Sequence, residues 1–275
     1  MKLTSIEELK HMANNIRRDI VTMVYLAGSG HPGGSLSSAE ILTALYFNVM
    51  NHNPKDPNWD MRDRFVLSKG HACPVLYAAL ARAGYFPLEE LKTLRKLKSR
   101  LQGHPSRTDL PYLEASTGSL GQGLGIAVGM ALGAKLDNKP FRIYCLMGDG
   151  EQNEGQIWES AMAAAHYKLD NLCGIIDHNY LQIDGPTKEV MDTDPLDEKY
   201  TAFGWHVIKI DGHDFEQIFK AFEEVKSIKS KPTLILARTT KGKGISFMEN
   251  KAEWHGKAPN DKEIEIALRD LDKAK

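Results

Sequence analysis

The segment from Phe141 to Asn179, FRIYCLMGDGEQNEGQIWESAMAAAHYKLDNLCGIIDHN, decides the fold. The apolar strand FRIYCLM ends in Gly148-Asp149-Gly150, a helix follows from about Glu154 to Lys168, and NLCGIID forms the next strand. Asp149 and Asn179 are 179 − 149 = 30 residues apart, which is the length of one strand, one crossover helix and one strand. The order therefore predicts two neighbouring parallel strands whose carboxyl ends carry Asp149 and Asn179.

The same alternation extends on both sides of this segment. The further expected elements are a strand at Arg64–Ser68, a helix from Pro74 to about Ala83, a strand at Trp205–Ile210, a helix from Phe215 to about Lys226, a strand at Thr233–Arg238 and a helix from near Asp261. Strands alternating with helices indicate an α/β fold with a mainly parallel sheet, helices on both faces and right-handed crossovers. No repeat or long linker interrupts it, so we expect a single domain over residues 1–275.

Two start signals for helices flank the loop SGHPGGS at 29–35. Ser5 and Glu8 have the spacing of a capping box before a helical pattern that reaches about Leu26, and Ser37 and Glu40 have the same spacing before ILTALYFNVM. We therefore expect a helix on each side of this loop.

Composition excludes several classes of protein. The 42% hydrophobic content supports a large buried core, and 35 basic against 36 acidic side chains give a net charge of 35 − 36 = −1, so no broad field favours nucleic acid or an anionic membrane. Cys73, Cys145 and Cys173 form no CxxC pair, which is typical of a reducing compartment. The amino terminus has no apolar signal region, and no stretch reaches the roughly 20 apolar residues of a membrane span. We expect a soluble, cytoplasmic protein.

The carboxyl ends of the two central strands predict a metal and phosphate site. The Asp149 carboxylate, the Asn179 amide oxygen and the Leu181 carbonyl are hard oxygen ligands suited to Mg²⁺, with phosphate oxygens completing the octahedron. Gly150 and the start of the following helix can bring backbone N–H groups against a diphosphate. Gly-Asp-Gly alone also fits a tight turn, and it is Asn179 at the end of the next strand that favours the metal site.

Four of the ten histidines sit beside glycine in expected loops, and these are His31, His71, His104 and His255. Imidazoles suit proton transfer and oxyanion stabilisation near pH 7, whereas a lone loop histidine is usually only solvated. The run Lys241 to Gly244, KGKG, lacks the spacing of a phosphate-binding P-loop and is interpreted as a flexible loop over the site.

One helix, from about Gly121 to Lys135, has glycine on a single face, at positions 121, 125, 129 and 133. Four glycines inside a helix cost on the order of 2 to 4 kcal/mol, which a very close backbone approach usually offsets. The face packs either inside the chain, as an internal helix against the sheet, or against another subunit, and both interpretations stay open at this point.

The chain resembles the amino-terminal part of transketolases. Gly-Asp-Gly followed after 179 − 150 − 1 = 28 residues by asparagine is similar to the thiamine diphosphate fingerprint. The resemblance runs through most of the chain, in the ordered motifs SGHPGG, RDRFVLSKGHA, GHP, STGSLGQG, MGDGEQNEG, DHNYLQIDG, FGWHVIKIDGHD and WHGKAP. It implies a thiamine diphosphate-binding fold and transfer of a two-carbon ketol unit from a ketose phosphate to an aldose phosphate.

The resemblance also implies roles for individual residues. Asp149, Asn179 and the Leu181 carbonyl would hold Mg²⁺. His31, His104 and His255 would face the reacting sugar, and Arg95 matches a position near the substrate channel. The positions implied in cofactor binding are His71, Gly118, Ser119, Leu120, Gly150, Glu154, Glu159, Asn179 and His255, with Glu159 in a carboxylate network between cofactor sites.

Transketolases activate the cofactor through a glutamate on a second domain, and we find no such domain in this sequence. We therefore expect a split enzyme in which a separate carboxy-terminal subunit supplies the pyrimidine-binding half, with α2β2 as the expected assembly. This architecture favours a subunit interface at the glycine-faced helix. Two alternatives are the alpha subunit of a 2-oxo acid dehydrogenase or decarboxylase, which shares Gly-Asp-Gly and asparagine, and a non-catalytic regulatory subunit that binds the cofactor.

Overall fold

A five-stranded parallel sheet forms the centre of the molecule, and its strands lie side by side in the order Arg64–Leu67, Ile143–Gly148, Leu172–His178, Thr233–Arg238 and His206–Asp211. The computed structural model describes residues 2–273, and positions 1, 274 and 275 of the predicted domain lie outside that range. The strands are β1 (Arg64–Leu67), β2 (Ile143–Gly148), β3 (Leu172–His178), the hairpin strands β4 (Leu181–Gln182) and β5 (Gly185–Pro186), β6 (His206–Asp211) and β7 (Thr233–Arg238). The predicted α/β class with a mainly parallel sheet is confirmed.

Helices cover both faces of the sheet, and the longer ones begin and end within a few residues of the predicted positions. They are α1 (Ile6–Ala27), α2 (Pro32–Leu36), α3 (Ala39–Ala44), α4 (Cys73–Ala83), α5 (Gln122–Leu136), α6 (Gly155–His166), α7 (Thr187–Val190), α8 (Leu196–Ala202), α9 (Phe215–Ser227) and α10 (Asp261–Lys273). Across residues 2–273, no helix combines the length and the apolar character that crossing a membrane requires.

The two faces of the sheet build two separate hydrophobic cores. Along β3, Cys173 and Ile175 point into a core shared with α1, α3, α4 and α9, whereas Leu172 and Ile176 point into a core shared with α5, α6 and α8. Alternate residues of a strand face opposite sides, so a strand that is apolar throughout must be covered on both. β3 is buried along its whole length, so ligands can approach these central strands only near their ends.

The predicted capping box at Ser37 and Glu40 is wrong, while the one at Ser5 and Glu8 is present. Ser38 precedes α3 and makes no side-chain cap hydrogen bond. The hydroxyl of Ser37 instead donates to Asp177 of β3 at 2.7 Å, and Glu40 pairs with Arg17 of α1 at 2.6 Å. Both side chains instead bind partners far away in the sequence, because the buried groups of Asp177 and Arg17 need hydrogen-bond or ion-pair partners.

Glu40 lies at the centre of a buried polar network that joins α1, α3 and the loop after β7. Its carboxylate also lies 3.0 Å from Nδ1 of His213, whose Nε2 accepts the backbone N–H of Thr240 at 2.9 Å. Burial alone would raise the pKa of Glu40, but Arg17 and His213 outweigh it and lower the pKa to about 2. The network fixes the backbone immediately before Lys241.

The glycine face of α5 has two different halves. A Cβ on Gly125 would lie 3.0 Å from the side chain of Gln156 in α6, whereas a Cβ on Gly129 or Gly133 would meet no atom of the described residues within 4 Å. The first half therefore allows close packing inside the chain. The second half is open, and Leu136 beyond it is 80% exposed.

We predict that Leu146→Ala lowers the free energy of unfolding by about 2–5 kcal/mol, because Leu146 is fully buried in β2 and its removal leaves a cavity. Leu97→Ala is the matched control, since Leu97 is 94% exposed and its loss should change stability by less than about 0.5 kcal/mol. Urea unfolding followed by circular dichroism measures both. Equal effects of the two substitutions would contradict the assignment of this core.

We also predict an acid-sensitive contribution from Glu40. A carboxyl whose pKa falls from 4.5 to about 2 on folding stabilises the protein above pH 4.5, and this contribution is lost as the pH falls towards 2. Between pH 5 and pH 3 the loss amounts to about 2 kcal/mol. Glu40→Gln should remove this component, so unfolding free energies of the wild type and the variant should converge between these two pH values. Parallel pH curves would argue against the network.

Candidate functional site

A cavity of about 360 Å³ opens at the carboxyl ends of β2 and β3. Most of the residues that the sequence predicted for the site line it, namely His31, His71, Gly118, Leu120, Asp149, Gly150, Glu154, Asn179, Leu181 and His255. A second cleft, of about 730 Å³, lies near the ends of β6 and β7 and contains none of the predicted residues. The chemistry-bearing side chains therefore converge on the first cavity.

Asp149 joins the ends of the two central strands. Its carboxylate accepts the backbone N–H of Gly150 at 2.8 Å, of Asn179 at 2.9 Å and of Tyr180 at 2.5 Å. Burial, with a smaller effect of neighbouring Asp177, raises the pKa of Asp149 to about 6. Among residues 2–273 this carboxylate forms no ion pair with a lysine, arginine or histidine, so a bound cation would stabilise its charged form.

The donor set around Asp149 fits Mg²⁺ better than a softer metal. The Asn179 amide oxygen and the Leu181 carbonyl line the same cavity as Asp149. Within the described part of the chain, no three His, Cys, Asp or Glu side chains group as they do around zinc. Carboxylate, amide and carbonyl oxygens with open positions are typical of Mg²⁺ bound together with phosphate oxygens.

The orientation of the Asn179 amide is set from behind by Asp177. Nδ2 of Asn179 donates to the Asp177 carboxylate at 3.1 Å, and Oδ1 accepts the N–H of Leu181 at 3.2 Å. Asp177 forms a fully buried ion pair with Lys69 at 2.5 Å. The side chain of Asn179 can therefore present only its oxygen to a cation, because its NH₂ group is already used.

Three of the glycine-flanked histidines pack closely around the mouth of the cavity. The ring centroids of His31 lie 5.2 Å from His71 and 5.5 Å from His255, and those of His71 and His255 lie 4.9 Å apart. Burial lowers the pKa of His31 to about 4 and that of His255 to about 3, with further lowering by Arg95 at His31 and by Lys241 at His255. These rings are neutral at pH 7.

His104 and Arg95 lie at the edge of this group. The ring of His104 is 6.2 Å from His31, and its Cδ2 atom would be only 3.0 Å from a Cβ on Gly118. Arg95 donates to the hydroxyl of Ser29 at 3.1 Å and lies 3.5 Å from Nδ1 of His31. Both side chains therefore face the histidine group from outside the cavity.

Three of the residues predicted to bind the cofactor form no side-chain hydrogen bond or ion pair within the described part of the chain. Ser119 is exposed, Glu154 precedes α6 and is exposed, and Glu159 is exposed on α6. A carboxylate network through Glu159 stays a prediction, since the described residues place no other carboxylate against it.

Sequence reasoning missed three buried ionisable residues. Lys241 is only 3% exposed, and its ammonium lies 3.0 Å from Nδ1 of His255 and 3.2 Å from the Leu181 carbonyl. The run KGKG lies at the site, as interpreted, but its first lysine is packed into the cavity wall and is not part of a freely flexible loop. The missed residues are Lys69, Glu151 and Lys241.

Glu151 ties together the loops that surround the cavity. Its carboxylate accepts the hydroxyl of Ser68 at 2.5 Å and the backbone N–H groups of Gly121 and Gly148, both at 2.9 Å. These contacts link the end of β1, the start of α5 and the end of β2. The only signal in the sequence is an acidic residue directly after Gly-Asp-Gly, which does not distinguish burial from exposure.

Comparison with known proteins gives one consistent result. The family model described as the thiamine diphosphate-binding domain of transketolase matches residues 8–272. A 6-deoxy-6-sulfo-D-fructose transketolase subunit from Clostridium sp. (strain MSTE9) is 47% identical over 97% of this chain and 97% of its own length. An apulose-4-phosphate transketolase subunit from Phocaeicola vulgatus is 45% identical over 97% of this chain and 94% of its own length.

The fold also matches that of a solved transketolase. The crystal structure of transketolase from Campylobacter jejuni superposes with a TM-score of 0.92 at 38% identity, and the match covers 98% of this chain and 43% of that chain. The resemblance thus includes the whole α/β unit and less than half of the larger enzyme. This chain belongs to the transketolase family, as a thiamine diphosphate-binding domain.

Proposed function

We propose that this chain is the diphosphate-binding subunit of a Mg²⁺- and thiamine diphosphate-dependent transketolase, active only with a separate carboxy-terminal subunit. The observation that carries the proposal is the convergence of the oxygens of Asp149, Asn179 and Leu181 with His31, His71 and His255 on one cavity. Relatives of nearly the same length are themselves named as transketolase subunits. Residues 1–275 would act as one domain in this role.

Asp149, Asn179 and the Leu181 carbonyl would hold Mg²⁺, and the backbone at Gly150 with the buried Lys241 would contact the diphosphate. Mg²⁺ would neutralise the charge of Asp149, which the described residues leave without an ion pair, and Lys241 would supply a second positive charge. Gly118, Ser119 and Leu120 would form the neighbouring wall, with His71. When bound, thiamine diphosphate supplies the carbon nucleophile that the side chains of this chain lack.

His31, His104 and His255 would contact the sugar phosphate. Their pKa values are all lowered, with burial as the largest cause, so all three would act as neutral hydrogen-bonding groups at pH 7. Neutral rings suit polarisation of a carbonyl oxygen and proton movement without holding the phosphate by charge. Much of the phosphate recognition would therefore belong to the partner subunit.

The partner would complete the cofactor site and bury exposed apolar surface. Glu154 lies at the rim of the cavity and is open to solvent, as is Glu159, so both could meet an added subunit. Leu136 at the end of α5 and Met162 on α6 are exposed large apolar side chains on the same two helices. We propose this surface as a subunit contact in an α2β2 assembly. The buried, unpaired cysteines fit the expected cytoplasmic location.

The 2-oxo acid dehydrogenase alternative is not favoured, because the relatives are transketolases throughout the length of this chain. The non-catalytic alternative would retain cofactor binding without turnover. Assays of the mixed subunits separate it from the proposed function.

We expect Asp149→Ala to weaken Mg²⁺-dependent binding of thiamine diphosphate by at least about tenfold, because it removes the charged ligand of the metal. Isothermal titration with and without EDTA measures this affinity. Asp137→Ala, at an exposed position after α5, is the matched control and should bind as the wild type does. Unchanged affinity of Asp149→Ala would refute the metal site.

We also expect the purified chain alone to give no ketol transfer and the transfer to begin when a carboxy-terminal transketolase subunit is added with Mg²⁺ and thiamine diphosphate. Xylulose 5-phosphate and pyruvate, tested side by side, distinguish a transketolase from a 2-oxo acid enzyme. Turnover by the isolated chain would sink the two-subunit proposal, and cofactor binding without turnover in any mixture would support the regulatory alternative.

A further inference from the structure

Two histidines of the site each have a cation at the same ring nitrogen. A guanidinium nitrogen of Arg95 lies 3.5 Å from Nδ1 of His31, and the ammonium of Lys241 lies 3.0 Å from Nδ1 of His255. Guanidinium and ammonium groups donate hydrogen bonds and cannot accept them. Nδ1 of each ring must therefore offer its lone pair, and in a neutral ring the proton is then on Nε2.

The environment keeps both rings neutral at pH 7. Burial is the largest cause, and it lowers the pKa of His31 to about 4 and that of His255 to about 3. Each pair is thus a hydrogen-bond donor facing the Nδ1 atom of a neutral imidazole.

Arg95 is held rigidly in the position from which it reaches His31. Its guanidinium also donates to Ser29 and to the Gly103 carbonyl, the latter at 3.3 Å. A Cβ on Gly103 would lie 2.7 Å from Cζ of Arg95, so only glycine leaves room for the guanidinium. The backbone of Arg95 itself has φ = +58°, a left-handed conformation that costs energy for any residue with a side chain.

Lys241 is held just as firmly on the other side. It is buried, and its ammonium donates to the Leu181 carbonyl as well as to His255. The backbone N–H of Gly242 next to it donates to the Gly33 carbonyl at 3.0 Å, which ties this loop to the start of α2 beside His31. The two cation and histidine pairs are therefore parts of one packed arrangement.

We propose that Arg95 and Lys241 are positioning residues that hold His31 and His255 in the Nε2–H tautomer, so that both rings present hydrogen-bond donors to the substrate. The catalytic part of this inference rests on the proposed transketolase function. Two Nε2–H donors stabilise negative charge that develops on a carbonyl oxygen of the donor sugar. Neither Nε2 can accept a proton in this resting state.

The tautomers can be read directly by ¹⁵N NMR of the imidazoles in the labelled full chain at pH 7, with signals assigned through His31→Gln and His255→Gln. We expect Nε2–H for both rings in the wild type. Arg95→Lys keeps a donor and should leave His31 unchanged, whereas Arg95→Glu offers an acceptor and should move the proton to Nδ1 or protonate the ring. Lys241→Met should release the proton position of His255 and leave His31 in the Nε2–H form.

Lys96→Glu is the matched control for Arg95→Glu. Lys96 is the next residue, is exposed, and bonds to the Leu26 carbonyl rather than to a histidine, so its charge reversal should leave His31 as it is. An Nδ1–H signal for His31 or His255 in the wild type would overturn the proposal, and so would an unchanged His31 signal in folded Arg95→Glu. This measurement needs no turnover, so it decides the tautomers even where the proposed function fails.

Kinetics with the partner subunit test the consequence for catalysis. Arg95→Glu should lower kcat at least about tenfold at saturating donor sugar, and Arg95→Lys should restore it to within about threefold of the wild type. If Arg95 instead held the sugar phosphate, KM would rise while kcat stayed the same. That outcome would reject the positioning role.

Discussion

The buried ion pair between Lys69 and Asp177 is the contact on which the site depends. The Lys69 ammonium reaches the Gly34 carbonyl and the Ser38 hydroxyl, and Asp177 accepts from Ser37, Thr239 and Asn179. A buried pair is costly unless every remaining donor and acceptor is satisfied, and here the loops after β1 and β7 and the start of α3 supply those partners. The loops cannot rearrange independently, because each would leave a buried charge without its partner.

The fold could be predicted because its signals are local. The strand, Gly-Asp-Gly, helix and strand order fixes where Asp149 and Asn179 must lie, and glycine beside histidine marks loops that allow close approach. Ser37 shows where local signals fail, since its spacing to Glu40 fits a capping box but its hydroxyl bonds to Asp177, 140 residues away in the chain. Lys69, Glu151 and Lys241 were missed for the same reason: only the folded sheet reveals which charges become buried together.

The cavity combines a carboxylate without an ion pair among residues 2–273 and a group of neutral histidines. Asp149 has a raised pKa, with burial as the largest cause, and no ion pair among residues 2–273, so in the proposed function its charge would be available to a cation bound with a diphosphate. The histidines on the other side are kept neutral by burial and by nearby cations. In the proposed function, the oxygens of Asp149 and Asn179 would recognise a cation and the neutral histidines would recognise the direction of hydrogen bonds, and all of them line the same cavity.

The open second half of the α5 glycine face couples the stability of this helix to the binding of a partner. Gly129 and Gly133 weaken the helix they belong to, because glycine favours the unfolded chain, and a Cβ at either position would meet no atom of the described residues within 4 Å. A protein partner that covers this face would stabilise the helix as well as bind to it, so part of the binding free energy would offset the entropy cost of ordering the helix. Gly121, the residue before α5, donates its backbone N–H to Glu151, so the rigidity of α5 would then report to the site whether the assembly is complete.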